Sequence, residues 1–194
     1  MVTDEYLASC ELIDWKTPAV LHQANLLAAD LVDPVDIARQ CFLFVRDQIQ
    51  HSWDARLEPV TCSASEVLQQ GHGFCYAKSH LLAALLRANA IPAALCYQRL
   101  TITDQPPFCL HGLNAAYFDS TGWYRMDARG NKPGVNAQFS PPQEQLAFAI
   151  IHPQEADLVR NWSEPMPEVI AAMRAAGNSQ QLAENLPDVE VLPF

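Results

Sequence analysis

One segment of the sequence restricts the fold more than any other, a predicted helix that is apolar on nearly all of its surface. The helix begins after Gly73-Phe74-Cys75, runs to about Asn89, and has the centre Leu81-Leu82-Ala83-Ala84-Leu85-Leu86. A helix on a protein surface carries one apolar stripe, so a helix without a polar face is expected inside a domain. Ile91-Pro92 ends it, because proline disfavours helical backbone in the residue before it. The rest of the chain must therefore surround this helix.

Two further helices are predicted upstream, each with a recognisable start. Asp33-Pro34 combines an N-cap acid with proline at the first helical position. The helix behind it has one apolar face, formed by Ile37, Ala38, Cys41, Phe42, Val45 and Ile49. Ser63-Ala64-Ser65-Glu66 is a capping box that opens a short helix, and Gly71 is suited to end it.

Downstream of the apolar helix the pattern changes to strands. Residues 93–100, 110–118 and 123–128 are short and rich in apolar and aromatic residues, and Asp119-Ser120-Thr121-Gly122 is a turn between the last two. Helices followed by antiparallel strands predict an α+β domain.

Cys75 is the residue in this arrangement with the clearest chemical potential. At the first turn of a helix, unpaired N–H groups and the positive end of the helix dipole favour a thiolate. The same N–H groups could hold a developing oxyanion, and Gly71 and Gly73 allow a substrate to approach the backbone closely. A buried structural cysteine is the alternative, because free cysteine is commonly buried.

A thiolate nucleophile needs a base and a group that orients the base. His111 begins one strand of the predicted hairpin and Asp127 lies near the end of the other. With an odd number of loop residues, 113 faces 127, and His111 and Asp127 project from the same face as diagonal neighbours. A two-residue loop would place them on opposite faces.

These residues, in this order, resemble the transglutaminase-like superfamily of papain-like thiol enzymes, in the manner of its bacterial single-domain members. The resemblance covers roughly residues 30–130. It rests on Ala64-Ser65-Glu66-Val67-Leu68, Gly73-Phe74-Cys75, Leu86-Arg87-Ala88-Asn89-Ala90-Ile91-Pro92-Ala93, and the sixteen positions from His111 to Asp127. The chain departs from the family pattern at Leu113, where an aromatic residue is common, and at Ala128-Arg129, where Pro and Thr or Ser usually follow the aspartate.

The resemblance implies a papain-like α+β fold, with N-terminal helices and a buried central helix that starts at the nucleophile and packs on an antiparallel sheet. It also implies a triad of Cys75, His111 and Asp127 that transfers or hydrolyses an acyl group at an amide bond of a peptide or protein, through a thioester. The acceptor, water or an amine, stays open. A second oxyanion donor could come from the segment 50–53, and Trp53 and Phe74 are candidate oxyanion or substrate contacts. A transglutaminase-like module that binds a peptide or protein without catalysis is the alternative.

We expect neither a metal nor another cofactor. The chain has no Asp-x-Asp-x-Asp calcium loop, so the calcium dependence of animal tissue transglutaminases is not carried over. His72, Cys75 and His80 are close in sequence, but Cys75 and His80 are about 140° apart around a helix and share no face.

The formal net charge of −10 argues against unaided binding to nucleic acid or to an anionic membrane, since both rely on basic patches. The acidic start, 1–6, is unlike a secretory signal, and the apolar runs are too short to span a bilayer. We therefore expect a cytoplasmic protein with reduced cysteines, although export would allow the six to pair. The sequence leaves the oligomeric state open.

We expect residues 1–194 to form a single domain with its catalytic core at about 30–132. The remaining residues, about 133–194, hold eight of the fourteen prolines and eight acidic residues against two basic ones. They also contain large apolar side chains that need a surface to pack on, namely Phe139, Leu146, Phe148, Ile150, Ile151, Trp162, Val169 and Ile170. We predict an acidic, proline-rich extension that packs on the core and adds its charge away from the catalytic residues.

Overall fold

The structure is a computed structural model that describes residues 4–103 and 105–189. After a 3-10 turn at Asp4–Leu7, the helices are α1 (Pro18–Ala28), α2 (Pro34–Gln48), α3 (Ser52–Ala55), α4 (Ala64–Gln70), α5 (Cys75–Ala88), α6 (Pro167–Ala175) and α7 (Ser179–Glu184). The strands are β1 (Gln50–His51), β2 (His72–Gly73), β3 (Ala93–Thr101), β4 (Phe108–Phe118), β5 (Gly122–Met126), β6 (Gln138–Ser140), β7 (Gln143–Gln145) and β8 (Ala156–Asp157).

Helix α5 is the predicted apolar helix, and it lies at the centre of the molecule. All of its residues from Cys75 to Arg87 are buried. It contacts α1, α2 and α4 together with the strands β3 and β4. The prediction that the rest of the chain surrounds this helix is confirmed, and the fold is the predicted papain-like α+β fold.

The two upstream helices start as their sequences predict. The Asp33 carboxylate caps α2 by accepting a hydrogen bond from the N–H of Val35. At α4 the side chain of Ser63 accepts from the N–H of Glu66, whose carboxylate accepts in return from the N–H of Ser63. Gly71 ends α4 with a φ of +74°, a conformation that glycine adopts without strain. Helix α1, which the sequence analysis did not predict, packs beside them.

The main sheet has four antiparallel strands in the order β5-β4-β3-β8. The β4–β5 pairing begins at Phe118 and Gly122, so three residues connect the strands. The same register places position 113 opposite position 127, beyond the last paired residues Asn114 and Met126. The odd-numbered connection that the proposed His–Asp pair requires is therefore present.

Residues after 132 run across both the helices and the sheet. Strands β6 and β7 form a hairpin, β8 adds to the edge of β3, and α6 and α7 follow. Several of their side chains belong to the main core, including Ala137, Phe139, Ala147, Val169, Met173 and Leu182. Ile150 and Ile151, which we expected to pack, lie exposed at the surface, because the loop that carries them projects from the core.

Over residues 4–103 and 105–189, no helix has the length and apolar character needed to cross a membrane. The same residues contain no cluster of three or more His, Cys, Asp or Glu side chains placed to hold a metal ion.

Candidate active site

Cys75 is the first residue of α5, where the helix leaves backbone donors unpaired. The residue before it, Phe74, has extended backbone and a side chain that cannot cap the helix. The first N–H bonded within the helix is that of Lys78, which donates to the Phe74 carbonyl over 2.9 Å. The N–H groups of the first turn therefore point toward the N-terminal end of the helix, where Cys75 lies, and they favour negative charge there.

A short parallel pairing holds the upstream segment 50–53 beside the cysteine. His51 lies opposite Gly73, and the N–H of Gln50 donates to the Gly71 carbonyl over 2.9 Å. A side chain at Gly73 would crowd its surroundings, since a Cβ there would lie 3.1 Å from the Cβ of Ala77. Glycine at position 73 therefore suits the tight packing of this segment against α4 and α5.

Strand β4 approaches the first turn of α5 equally closely on the other side. A Cβ on Gly112 would lie 2.9 Å from Tyr76 Cδ1 and 3.2 Å from its Cα. The Tyr76 hydroxyl donates to the carbonyl of Leu110, one residue before His111. The absence of a side chain at Gly112 and this buried hydrogen bond set the distance between the cysteine helix and the histidine strand.

His111 and Asp127 form a buried hydrogen-bonded pair. His111 Nε2 lies 2.7 Å from Asp127 Oδ2, and the exposed fractions of the two side chains are 6% and 0%. Asp127 also accepts from two backbone groups, the N–H of Arg129 at 3.0 Å and the N–H of Ala147 at 3.1 Å. Both carboxylate oxygens are thus engaged and fix the orientation of the ring.

These contacts hold Asp127 ionised although it is fully buried. Burial alone would raise the pKa of this carboxyl, but the His111 charge and hydrogen bond, together with the two backbone donors, lower it below its ordinary value. The pair therefore consists of a carboxylate facing an imidazole that gains stability when it is protonated.

The side chain of Cys75 is a second neighbour that favours the charged form of the His111 ring. Because Nε2 bonds to Asp127, Nδ1 is the nitrogen left for the sulfur. Burial would lower the pKa of His111, yet Asp127 and then Cys75 outweigh it and raise the pKa to about 10. The phenyl ring of Phe148 packs edge to face on the imidazole, with centroids 4.9 Å apart. The three predicted residues thus lie together at the start of α5.

A cavity of about 400 Å³ opens onto Cys75 and His111. Most of its wall is apolar, formed by Trp53, Phe74, Tyr76, Leu100, Ile102, Leu110, Phe148, Ala183 and Leu186. Trp53 is 47% exposed and Phe74 only 3%. Both predicted contact residues therefore lie on the cavity wall, one at its mouth and one in its interior.

A group of charges borders the same cavity. Arg129 donates twice to the Asp54 carboxylate, at 2.6 and 3.1 Å, and Lys132 donates to it at 2.7 Å. Burial would raise the pKa of Asp54, but these hydrogen bonds lower it below its ordinary value. The nearest Asp54 oxygen to His51 Nδ1 is 3.7 Å away, and this buried nitrogen has no hydrogen-bond partner among the described residues. Burial and the charge of Arg129 hold the pKa of His51 well below its usual value, so the ring is neutral.

Another buried cation lies behind the triad. Lys78, one helical turn after Cys75, is 1% exposed and donates to the carbonyl of Ile49 over 2.5 Å. Burial, reinforced by the charge of Arg129, lowers the pKa of this ammonium to about 7. Neither Lys78 nor the groups of Asp54 and Arg129 were singled out by the sequence analysis, because charges on a helix and in loops are usually solvated.

The other cysteines differ from Cys75 in their surroundings. All six thiols are free, and Cys10 and Cys62 are half-buried whereas the other four are buried. Cys109 lines the same cavity as Cys75, but burial raises the pKa of its thiol to about 12. His80 is fully buried within α5, and its Nδ1 lies 2.7 Å from the Cys62 carbonyl.

The extension also reaches the site, and it does so with uncharged groups. Ala147 bonds to Asp127 and Phe148 packs on His111. Leu186 forms part of the cavity wall. Nothing in the spacing of these residues marks them in the sequence, since their contacts depend on the path of the chain after β5.

A buried helix that starts at a cysteine and packs on an antiparallel sheet carrying a histidine and an aspartate defines the papain-like class of folds. A family model described as the transglutaminase-like superfamily matches residues 24–128, more than half of the chain. The protein belongs to this superfamily. No curated protein matches the chain.

Solved structures share the fold at low sequence identity. A proposed cysteine protease from Cytophaga hutchinsonii superposes with a TM-score of 0.52 at 19% identity, over 64% of this chain and 40% of its own. The periplasmic domain of TgpA from Pseudomonas aeruginosa gives 0.47 at 17% identity, over 63% and 45%. Red sea bream transglutaminase gives 0.42 at 16% identity, over 66% and 26%. The chain thus matches less than half the length of each of these proteins.

Proposed function

We propose that this protein is a thiol enzyme that hydrolyses or transfers the acyl group of an amide through a thioester on Cys75. The observation that carries the proposal is the buried His111–Asp127 hydrogen bond, with His111 facing the same cavity as Cys75 at the N-terminus of α5. A nucleophile, a base and an orienting group within reach of one another are what covalent catalysis requires.

In the first step the Cys75 thiolate attacks the amide carbonyl. The N–H groups of the first turn of α5 stabilise the oxyanion that develops on the carbonyl oxygen. His111, protonated because Asp127 and Cys75 raise its pKa, gives its proton to the leaving amine as the C–N bond breaks. The amine leaves neutral, and the acyl group remains on sulfur.

In the second step the neutral His111 takes a proton from the acceptor as the acceptor attacks the thioester. Water as acceptor gives a carboxylic acid and a peptidase or amidase; an amine gives a new amide and a transglutaminase. Sulfur leaves as thiolate, which restores the thiolate–imidazolium pair. Asp127 keeps the ring oriented and stabilises its charge in both steps.

The apolar cavity supports a peptide or protein as the acyl donor. Its wall would accommodate apolar side chains beside the reacting amide. Trp53 and Phe74 are proposed as substrate contacts on this wall. The description of the Cytophaga protein as a proposed cysteine protease favours the same substrate class.

Trapping the acyl-enzyme tests the proposal directly. The protein is incubated with a library of peptides and small amides, quenched in acid, and mapped by mass spectrometry. We expect an acyl adduct on Cys75 that hydroxylamine removes, and its loss in Cys75→Ala and His111→Ala.

Cys109→Ala is the matched control, because Cys109 lines the same cavity without the histidine contact. This variant is expected to form the adduct at the rate of the unmodified protein. An adduct on Cys109 instead of Cys75, or amide turnover that survives Cys75→Ala, would overturn the proposal.

A further inference from the structure

The last described part of the chain lies against the strand that carries His111. Residues 185–189, called here the C-terminal strap, follow α7. The N–H of Leu110 donates to the carbonyl of Pro187 over 2.7 Å. Because β5 pairs with β4 only over residues 114–118, it does not reach the part of β4 at Leu110. The strap thus pairs with an open stretch of sheet edge, one residue before His111.

The side chains on either side of Pro187 also contact the protein, and Val189 packs against the main core. Leu186 lies on the wall of the cavity that contains Cys75 and His111. Asp188 forms a two-pronged ion pair with Arg99, with Nε–Oδ1 at 2.6 Å and Nη2–Oδ2 at 2.7 Å. The guanidinium of Arg99 also stacks on the ring of Phe108, 4.0 Å from its centroid. The arginine is therefore held in place to receive a carboxylate.

The three contacts together have the form of peptide recognition by strand addition. In that mode a sheet edge bonds the peptide backbone, and pockets on either side select its side chains. Here the edge donor is Leu110, Leu186 packs on the core at the wall of the apolar cavity, and Arg99 receives the acid two positions further on. The paired arginine and carboxylate give this arrangement directional selectivity.

We propose that this edge of β4, the adjoining cavity and Arg99 form a binding site for an extended peptide with an apolar residue followed, two positions later, by an acidic one. The chain's own strap is the occupant seen in the structure, and an external peptide must displace it. As a statement about the substrate this rests on the proposed function, since the peptide then lies beside the reacting thiol.

Displacement of the strap would also change access to the nucleophile. With the strap in place, Cys75 is 8% exposed and His111 5%. A tethered occupant competes at an effective concentration in the mM range. A free peptide is therefore expected to bind weakly to the unmodified chain and more tightly once the ion pair of the strap is removed.

The test uses the full-length chain and a fluorescent peptide with the strap sequence, Asn-Leu-Pro-Asp-Val, acetylated or labelled at its start and amidated at its end. We expect fluorescence anisotropy to show at least tenfold tighter binding to Asp188→Ala than to the unmodified protein. Replacing aspartate by asparagine in the peptide should weaken binding to Asp188→Ala several-fold. Adding Arg99→Gln to that variant should weaken binding of the aspartate peptide to a similar degree.

Arg125→Gln is the matched control, because it breaks two other surface ion pairs, with Glu144 and with Asp157 at 2.7 Å each, without touching the strap. Peptide affinity of this variant should equal that of the unmodified protein. Equal affinities for the unmodified protein and Asp188→Ala, or equal affinities of Asp188→Ala for the aspartate and asparagine peptides, would overturn the peptide site. Thermal melts of each variant show whether it is folded, and Asp188→Asn provides a second route to the same loss of charge.

Alkylation of Cys75 by iodoacetamide separates this inference from the proposed function. We expect a several-fold faster reaction in Asp188→Ala than in the unmodified protein, reversed by the aspartate peptide. An unreactive Cys75 in a chain that binds the peptide with the expected Arg99 dependence contradicts the thiol chemistry alone. If Cys75 is reactive but its alkylation rate changes neither with Asp188→Ala nor with added peptide, the strap does not occupy the site.

Discussion

At the scale of single residues, the charge on His111 depends on the balance between burial and two neighbouring side chains. Burial works against the imidazolium, whereas the Asp127 carboxylate and the Cys75 thiol favour it and raise its pKa to about 10. Because the fold favours the charged ring, this contribution to stability is complete below the unfolded value of ~6.5 and disappears as the pH rises toward 10.

Asp127→Asn tests this balance with little change in shape. Loss of the carboxylate charge should lower the pKa of His111 by more than one unit and slow alkylation of Cys75 at pH 7 by at least tenfold. The ring nitrogen shifts of His111, followed by NMR across pH 5–11, give the value directly. A histidine that titrates equally in both proteins would show that Asp127 does not stabilise the charged ring.

Lys78 is a buried cation whose pH dependence has the opposite sign. Burial lowers its folded pKa to about 7, so between pH 7 and the unfolded value of ~10.4 the unfolded chain binds more protons. The unmodified protein should therefore gain stability relative to Lys78→Met as the pH rises, by at most ~1.4 kcal/mol per pH unit. Urea unfolding of both proteins at pH 7, 8 and 9 measures the difference; a constant difference contradicts the account.

At the scale of elements, the site depends on how closely α5 and β4 approach. Gly112→Ala places a methyl group 2.9 Å from Tyr76 Cδ1, so the helix start or the strand must shift. We expect a loss of ~1–3 kcal/mol in the free energy of unfolding, together with at least tenfold slower alkylation of Cys75. Denaturant unfolding and site-resolved mass spectrometry supply the two numbers.

Gly177→Ala is the control for that substitution. A Cβ at Gly177 meets only the flexible end of the Gln181 side chain, at 3.0 Å. Its stability should change by less than ~0.5 kcal/mol, and Cys75 should react normally. Equal effects of the two substitutions would mean that the contact between Gly112 and Tyr76 does not position the site.

The sequence predicts elements well where their ends carry local signals. The capping box at Ser63 and the proline after Asp33 act within a few residues, so the starts of α4 and α2 are correct. Helix α1 carries a comparable signal, since proline follows its N-cap Thr17, but Thr17 makes no side-chain cap hydrogen bond and this helix was not predicted. The short strands of the extension are set by long-range pairing, as between Gln98 and Asp157, which no local pattern announces.

The candidate site likewise contains some residues that local sequence predicts and others that it does not. His111 and Asp127 follow from strand alternation and the three-residue connection after Phe118. The contacts from Phe148 and Leu186 depend on how residues after β5 return across the sheet. Local sequence does not determine that path, so these contacts required the structure.

At the scale of the whole molecule, one buried side chain bonds both the N-terminal segment and the C-terminal extension to the central helix. Arg87, near the end of α5, donates to the carbonyls of Ala8 and Ser163 at 2.7 Å each, and twice to that of Ala93. Its guanidinium is the right shape to satisfy several carbonyls at once, which the single ammonium of lysine is not.

Arg87→Lys is expected to destabilise the protein by ~2–4 kcal/mol, because buried carbonyls lose their donors. Arg174→Lys is the control: this exposed arginine pairs with Glu11 at the surface, and its replacement should leave stability nearly unchanged. Urea unfolding compares the two. Similar losses of stability in the two variants would show that the hydrogen bonds of Arg87 to the N-terminal segment and to the extension do not stabilise the fold.

The central claim is that the structure singles out Cys75 among six free thiols. Burial raises the pKa values of Cys41, Cys96 and Cys109 to about 12, which leaves them unreactive near neutral pH. The decisive measurement is the iodoacetamide rate at each cysteine from pH 5 to pH 9, by peptide mapping of the native protein. We predict that Cys75 reacts at least tenfold faster than each of the other five at pH 6 and loses this advantage in His111→Ala. A Cys75 that titrates near 8.5 and reacts no faster than the rest would contradict catalysis and leave a transglutaminase-like fold that only binds its peptide.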